Sequence, residues 1–266
     1  MNKNPSLRLA TVLLACLSAA ACTTSPSRAP MKEAAMIEPQ RETGHRGSDD
    51  LLTAGLGLAG LRGMTPPGFA DAANPTAEEL RRRAIWSNWR GIADLSLTGG
   101  YGEVYGSVAN VPGREFSAFA TLPGAKQPHR VLLQVPDSFD AGKRCVVVTA
   151  SSGSRGIYGS IAVAGAWGLP KGCAVAYTDK GAGTDYYDID THTGVKLDGT
   201  RGALGETLAF VPEVPAGMSG VAFKHALSGD NPEADWGRHV KQAAEFALSA
   251  LDRAYPQAGP FTFDNT

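Results

Sequence analysis

The sequence carries little charge and almost no excess of either sign. Only 19% of its 266 residues are charged, and 25 Lys and Arg residues against 26 Asp and Glu residues leave a formal net charge of -1. This composition excludes the basic surface of a nucleic-acid-binding protein and the charged faces of a coiled coil. The 43% of residues that are hydrophobic suffice for a sizeable core, so the length fits one domain or two small ones.

The sequence also lacks an apolar run long enough to cross a membrane. The run near the N-terminus covers residues 9–21, which is 13 residues against the roughly 20 that a transmembrane helix needs. Because basic residues precede this run and small residues end it, residues 1–21 are predicted to be the signal peptide of a secreted or periplasmic protein. Small residues before Cys22 are also typical of outer-membrane lipoproteins, which makes Cys22 a candidate lipid anchor and the only predicted link to a membrane.

Cysteine is scarce in the part of the chain that follows the predicted signal peptide. Cys145 and Cys173 each open an apolar run. If these runs are neighbouring parallel strands, the two sulfurs lie at the same end of adjacent strands, where an oxidising compartment allows a disulfide. Two buried, unpaired thiols are the alternative, because side-by-side strand positions often strain a bridge.

Glycine and proline are abundant, at 32 and 17 residues, and predict many turns rather than a helical bundle. Residues 22–50 contain several prolines without apolar periodicity and are predicted to be a linker. Thr76 and Glu79 have the spacing of a capping box, which predicts that a helix begins there. The triple arginine at residues 81–83 is expected on the solvated face of that helix. The apolar spacing over residues 232–255 predicts a second helix.

Apolar patterns predict four strands, at residues 114–122, 131–135, 145–150 and 173–177. The last two runs are continuously apolar and are separated by a crossover segment, so they are predicted to be parallel and buried on both faces. Residues 181–222 are rich in Gly, Asp and Pro and are expected to form a long loop or lid. The predicted fold class is therefore α/β, with a predominantly parallel sheet, flanking helices and long loops.

The loop after residues 145–150 contains the strongest chemical candidates, Ser151, Ser152, Gly153 and Ser154. A glycine-containing turn at the carboxyl end of a strand can direct backbone N–H groups at an oxyanion, and ligands of open α/β sheets gather at this edge. We therefore predict that these four residues form an oxyanion loop. Ser154 has an alternative role as a nucleophile, because its surroundings differ from the motif Gly-x-Ser-x-Gly only at the first position.

No complete Gly-x-Ser-x-Gly motif occurs in the chain. In α/β-hydrolases the oxyanion loop follows an early strand, whereas the nucleophile follows a later one, with the acid and the histidine further along the chain. Only residues 256–266 remain after the second predicted helix. We therefore expect residues 51–266 to be the N-terminal portion of an α/β-hydrolase-like catalytic domain that is truncated before its nucleophile, and no catalytic residue is assigned.

A group of acidic residues and one histidine is a weaker candidate for a metal site. Asp185, Asp188, Asp190 and His192 lie within eight residues of one another, but their spacing matches neither an EF-hand nor a zinc site. A solvated acidic loop is the favoured interpretation. Neither a metal site nor a cofactor is predicted.

Histidine and tryptophan residues provide further candidates. His129, His225 and His239 are candidate general bases, although His239 is expected to face solvent from its position on the second helix. Trp86 and Trp89 are candidates for lining an apolar substrate groove, but packing in the core is favoured for both.

Four segments carry a family resemblance. The most specific are Thr-Ala-Ser-Ser-Gly-Ser-Arg-Gly-Ile-Tyr-Gly at residues 149–159 and Gly-Cys-Ala-Val-Ala-Tyr-Thr-Asp-Lys-Gly at residues 172–181. Asp-Leu-Leu-Thr-Ala-Gly-Leu-Gly at residues 50–57 and Gln-Val-Pro-Asp-Ser-Phe at residues 134–139 add to them. Together these segments resemble the 3-hydroxybutyrate oligomer hydrolases, from about residue 45 to the last residue.

The resemblance implies an exported serine esterase that cuts short oligomers of D-3-hydroxybutyrate, formed during degradation of polyhydroxybutyrate, into monomers. It also implies a longer chain, whose nucleophilic serine lies in a Ser-x-Ser-Asn-Gly-Gly motif shortly after a segment like residues 261–266. That motif is absent here, so we expect an N-terminal fragment that is inactive alone. The alternatives are a compact esterase with Ser154 as its nucleophile and an exported binding or remnant domain without hydrolytic activity.

Overall fold

The computed structural model describes residues 36–101, 104, 108–153 and 155–266. A five-stranded sheet with the order β1-β2-β3-β5-β4 organises this part of the chain. Its strands are β1 (Met36–His45), β2 (Gly113–Ala120), β3 (His129–Pro136), β4 (Val146–Ala150) and β5 (Ala174–Thr178).

The strand directions correct the predicted fold class. β4 and β5 are parallel, as the sequence predicted, but β1 with β2, β2 with β3, and β3 with β5 are all antiparallel. The prediction of an α/β-hydrolase-like domain with a predominantly parallel sheet is therefore wrong. The prediction assumed that the parallel direction of β4 and β5 holds throughout the sheet. A parallel pair needs a crossover connection, and only the segment between β4 and β5 provides one. The short link from β2 to β3 makes an antiparallel hairpin instead.

A second, smaller sheet replaces the loop predicted for residues 181–222. Its strands are β6 (Tyr186–Asp188), β7 (Thr193–Val195), β8 (Arg201–Ala203) and β9 (Val221–Phe223). They are ordered β8-β7-β6-β9, and every pair is antiparallel. Three-residue strands give too little apolar periodicity to be recognised in the sequence.

The predicted linker is also shorter than expected, because residues 36–45 form β1 and pair with β2. The predicted signal peptide, the candidate lipid anchor Cys22 and the start of the linker lie outside the described residues.

Helices are few and two of them are long. They are α1 (Gly57–Arg62), α2 (Ala77–Ile92), α3 (Ala166–Gly168), α4 (Lys224–Leu227) and α5 (Trp236–Ala254). A π-helical turn, Ile161–Gly165, precedes α3. The capping box predicted for α2 is confirmed, because the Thr76 hydroxyl accepts a hydrogen bond from the Glu79 amide and the Glu79 carboxylate accepts one from the Thr76 amide. None of the helices described combines the length and the apolar character of a membrane span.

The large sheet separates two apolar clusters. Leu132, Val175 and Tyr177 point to the side of α2, where they join a cluster that includes Trp89. The alternate residues of the same strands point to α5 and meet side chains such as Phe246. Trp89 donates its indole N–H to the Leu52 carbonyl at 2.9 Å, which confirms the packing role that the sequence favoured for it.

A disulfide joins the two cysteines that stand at the entrances to β4 and β5. Cys145 and Cys173 are bonded, with 4.7 Å between their Cα atoms, and close a loop across 28 positions of the chain. The bridge fixes the start of the parallel pair, so the loops at the opposite ends of both strands emerge side by side.

Replacing Cys145 and Cys173 together by Ala should lower the free energy of unfolding by about 3 to 4 kcal/mol, because the unfolded chain regains the entropy that a loop of this length removes. Urea unfolding of the oxidised protein, the reduced protein and the double variant measures this difference. The double variant should not respond to reductant, and equal stability of all three forms would contradict the expectation.

Candidate functional site

A cavity of about 270 Å³ lies beside the carboxyl ends of β4 and β5. The loop after β4, the residue after β5, the start of β3, α2 and the turn after β7 form its walls. Its apolar lining comes from Leu80, Ala84, Ile157, Val195 and Leu197, and its polar lining includes Arg41, Ser117, Arg155, Asp179 and Asp198. Such a mixture of apolar walls and a few polar groups is typical of small-molecule sites.

The floor of the cavity is a buried ion network centred on Glu115. Its carboxylate accepts hydrogen bonds from the Arg81 guanidinium at 2.8 Å, from the Gln134 amide at 2.8 Å and from the Tyr158 hydroxyl at 2.8 Å. Burial raises the pKa of Glu115, but the attraction of Arg81 and a hydrogen bond from His45 outweigh this, so its pKa lies well below the usual range. The network therefore keeps a charged carboxylate under the cavity.

Arg81 overturns the expectation that the triple arginine faces solvent. Its side chain is buried against Glu115, and Arg81 Nη1 also contacts Asp49 at 2.7 Å. Only the fold places these acids opposite this one arginine of the three. The other two lie half-buried and donate to backbone carbonyls.

One wall of the cavity is held by Arg130, at the start of β3. Arg130 pairs with Asp185 at 2.9 Å and donates to the carbonyls of Lys196 and Leu197 at 2.8 and 2.6 Å. Burial raises the pKa of Asp185, but the charges of Arg130 and, to a smaller extent, Lys224 outweigh this effect, so the pKa lies below its usual value. These bonds fix the turn after β7 against the large sheet.

The fold separates the candidate metal ligands named in the sequence analysis. Asp185 is committed to Arg130, whereas Asp188 accepts the amides of Asp190 and Thr191 within its own turn. His192 is exposed. Among the residues described, no group of three or more His, Cys, Asp or Glu side chains is arranged to hold a metal ion.

Asp179, the first residue after β5, is the most unusual polar group of the cavity. Its Oδ1 accepts the amide of Arg130 at 3.0 Å and that of Gly181 at 2.8 Å. Its Oδ2 is buried and has no hydrogen-bond partner in the described structure. The sequence analysis did not assign Asp179 a role, although a polar residue that ends a buried strand is the signal that marks it.

The predicted oxyanion loop begins beside Asp179, because β4 and β5 are paired in register up to Ala150 and Thr178. Ser151 is buried and donates its amide to the Thr178 carbonyl at 2.8 Å, while its hydroxyl has no partner among the described atoms. Ser152 and Gly153 are exposed, and within the described structure neither amide donates to an acceptor. Ser154 lies outside the described residues. Two backbone donors of the loop are therefore available to a ligand.

The candidate histidines do not contact a serine within the described part of the chain. His129 and His239 are both buried, with ring centroids 4.4 Å apart, and His225 is exposed. The expectation that His239 faces solvent is wrong, because it shares one stripe of α5 with the apolar residues that face β3. Burial, followed by the charges of His239 and Lys224, lowers the pKa of His129.

We expect this histidine pair to make the protein acid-sensitive. Above about pH 6.5 the histidine is neutral in both the folded and the unfolded protein. Below that pH the unfolded chain binds a proton that buried His129 does not bind. The free energy of unfolding therefore falls by about 1.4 kcal/mol for each pH unit, until the pH reaches the pKa of His129 in the folded protein. His129→Leu should remove that contribution, as measured by urea unfolding between pH 7 and pH 5. The control His225→Gln should keep it, and an unchanged slope in His129→Leu would refute this role.

Comparisons with known proteins agree with one another. A family model described as 3HB-oligomer hydrolase (3HBOH) matches residues 15–264. The D-(-)-3-hydroxybutyrate oligomer hydrolase of Cupriavidus necator is 45% identical over 230 residues, covering 77% of this chain and 32% of that protein. The protein of the same description from Burkholderia cenocepacia is 43% identical over 239 residues, covering 81% of this chain and 34% of the relative. The chain thus spans about a third of the length of these curated relatives, and no solved structure matches it.

Proposed function

The chain belongs to the 3HB-oligomer hydrolase family, and from this premise we propose that it is the substrate-binding part of an esterase that hydrolyses D-3-hydroxybutyrate oligomers to monomers. The observation that carries the proposal is the cavity beside the loop at residues 151–153, within a chain matched by the family model over almost its whole length. The ligand is a small-molecule ester, and no cofactor takes part.

The lining of the cavity suits such a ligand. Each 3-hydroxybutyrate unit carries a methyl branch and an ester carbonyl, so an oligomer alternates apolar and hydrogen-bond-accepting groups. Leu80, Ala84 and Leu197 offer apolar contacts to the methyl branches. Ser117 and Arg155 offer donors to carbonyl or carboxylate oxygens.

The loop supplies electrostatic stabilisation to the ester that is cleaved. Attack on an ester carbonyl places a negative charge on its oxygen, and the free amides of Ser152 and Gly153 can hold that charge. The nucleophile in this proposal is a serine of a segment outside this chain. The serine oxygen bonds to the ester carbon, the ester C–O bond breaks, and the proton lost by the serine hydroxyl goes to the leaving alcohol. Water then hydrolyses the acyl-serine bond, which releases the acid and restores the serine hydroxyl.

Two alternatives remain separate proposals. A compact esterase with Ser154 as its nucleophile requires a base within reach of that serine. A binding domain without turnover is favoured by the absence of any serine–histidine hydrogen bond among the described residues. In each case we propose that the chain is exported, either as a secreted or periplasmic protein or as an outer-membrane lipoprotein with Cys22 as its lipid anchor.

We expect the isolated chain to bind the D-3-hydroxybutyrate dimer, and filling the cavity should weaken this binding by at least tenfold. Ala84→Phe adds a phenyl group to the cavity wall, whereas Ser87→Phe adds the same group on the exposed side of the same helix and serves as the control. Calorimetry measures affinity, and chromatography of the same samples measures release of monomer.

The outcomes separate the proposals. Binding without monomer release supports a nucleophile outside the chain or a binding domain. Release by the wild type that Ser154→Ala abolishes supports the compact esterase. If the wild type does not bind the dimer, or if the two Phe variants bind it equally well, the cavity is not the substrate site.

A further inference from the structure

Resting on the proposed function, we propose that Asp179 recognises the free hydroxyl end of the oligomer and so fixes the direction in which the substrate enters the cavity. Asp179 lines the cavity and is fully buried, and its Oδ2 atom has no hydrogen-bond partner in the described structure. A buried acceptor without a donor is costly, and a ligand that supplies the donor removes this cost.

The carboxylate is held in place for this role. The amides of Arg130 and Gly181 both donate to Oδ1, from the start of β3 and from the turn after β5. These two bonds define the plane of the carboxylate and leave Oδ2 as its only uncommitted atom. Such an acceptor is preorganised, so binding a donor costs little side-chain entropy.

Nearby cations are already engaged elsewhere. The Arg130 guanidinium is bonded to Asp185 and to two carbonyls. Lys180 bonds Glu233 at 3.0 Å and lies over the Trp236 ring. Lys224 donates to the Pro128 carbonyl at 2.6 Å. These cations are bonded to other acceptors, and no described side chain donates to Oδ2, so a ligand or water can supply the donor that this atom lacks.

A glycine of the turn after β5 lies beside Oδ2. Gly183 has φ +46, and a Cβ at this position would lie 3.0 Å from Asp179 Oδ2 and 3.4 Å from Asp185 Oδ2. Any larger residue would crowd the carboxylate and strain the backbone. Glycine at this position therefore leaves no side chain of the turn against the unpaired oxygen.

The chemistry of the oligomer selects its hydroxyl end. A linear hydroxybutyrate oligomer at neutral pH has ester carbonyls and a carboxylate, which only accept hydrogen bonds, and a single terminal hydroxyl, which can donate one. An aspartate carboxylate only accepts. Because the loop that begins at Ser151 emerges beside Asp179, the ester bond nearest the hydroxyl end is then the one presented to the loop amides.

The test compares the dimer with its methyl ether, in which the terminal hydroxyl is capped. The wild-type chain should bind the ether about 10- to 100-fold more weakly, which is the range expected for one hydrogen bond to a charged acceptor. Asp179→Asn keeps Oδ1 for the two amides and places an N–H donor at the other position. That donor serves a hydroxyl and an ether oxygen alike, so the preference should fall to less than about threefold.

A matched control removes a negative charge elsewhere. Asp264→Asn changes an exposed residue near the C-terminus and should keep the wild-type preference. Equal affinity of the wild type for alcohol and ether overturns the role of Asp179 while leaving the proposed function intact, and this comparison needs no variant. A preference that survives in Asp179→Asn also overturns it. Failure of the wild type to bind either compound contradicts the proposed function and this inference together.

Discussion

The structure depends on one buried carboxylate. Glu115 receives hydrogen bonds from α2, β3 and the segment after β4 through Arg81, Gln134 and Tyr158, and it also lies 3.4 Å from the ring of His45 in β1. Taking a carboxylate and a guanidinium out of water costs several kcal/mol for each ion, and only a complete set of partners offsets that cost. The elements around Glu115 therefore hold together or separate together, because the loss of any one partner leaves a charge buried without compensation.

The same network of buried polar groups supports the cavity. Arg81, Glu115 and Tyr158 form its floor, while the bonds of Arg130 to Asp185 and to the turn after β7 fix one wall. The disulfide ties the opposite ends of β4 and β5. Ion pairs thus hold the floor and one wall of the cavity, and the buried charged groups of these two parts are oriented by the protein itself.

Local signals in the sequence were sufficient where local chemistry decides the structure. The cap at Thr76 starts α2, and the apolar run after Cys145 makes a buried strand beside its parallel neighbour. Strand direction elsewhere and the partners of polar side chains depend on residues far apart in the chain. Arg81 is one of three consecutive arginines, and only the fold determines which of the three pairs with Glu115. Likewise, nothing near Asp179 in the sequence announces that the distant amide of Arg130 will occupy one of its oxygens and leave the other free.

The polar groups of the described structure differ in whether they are already bonded. A catalytic serine needs a base at hydrogen-bonding distance, and within the described structure the rings of His129 and His239 pack edge-to-face against each other and neither bonds to a serine hydroxyl. The Oδ2 atom of Asp179, by contrast, is fixed by the two bonds to Oδ1 and has no partner in the described structure, and the amides of Ser152 and Gly153 donate to no described acceptor. Positioning a reacting group and stabilising its developing charge account for much of the acceleration that enzymes achieve. The uncommitted polar atoms of the described structure therefore suit binding and charge stabilisation, which is the division of roles that the proposed function assigns to this chain.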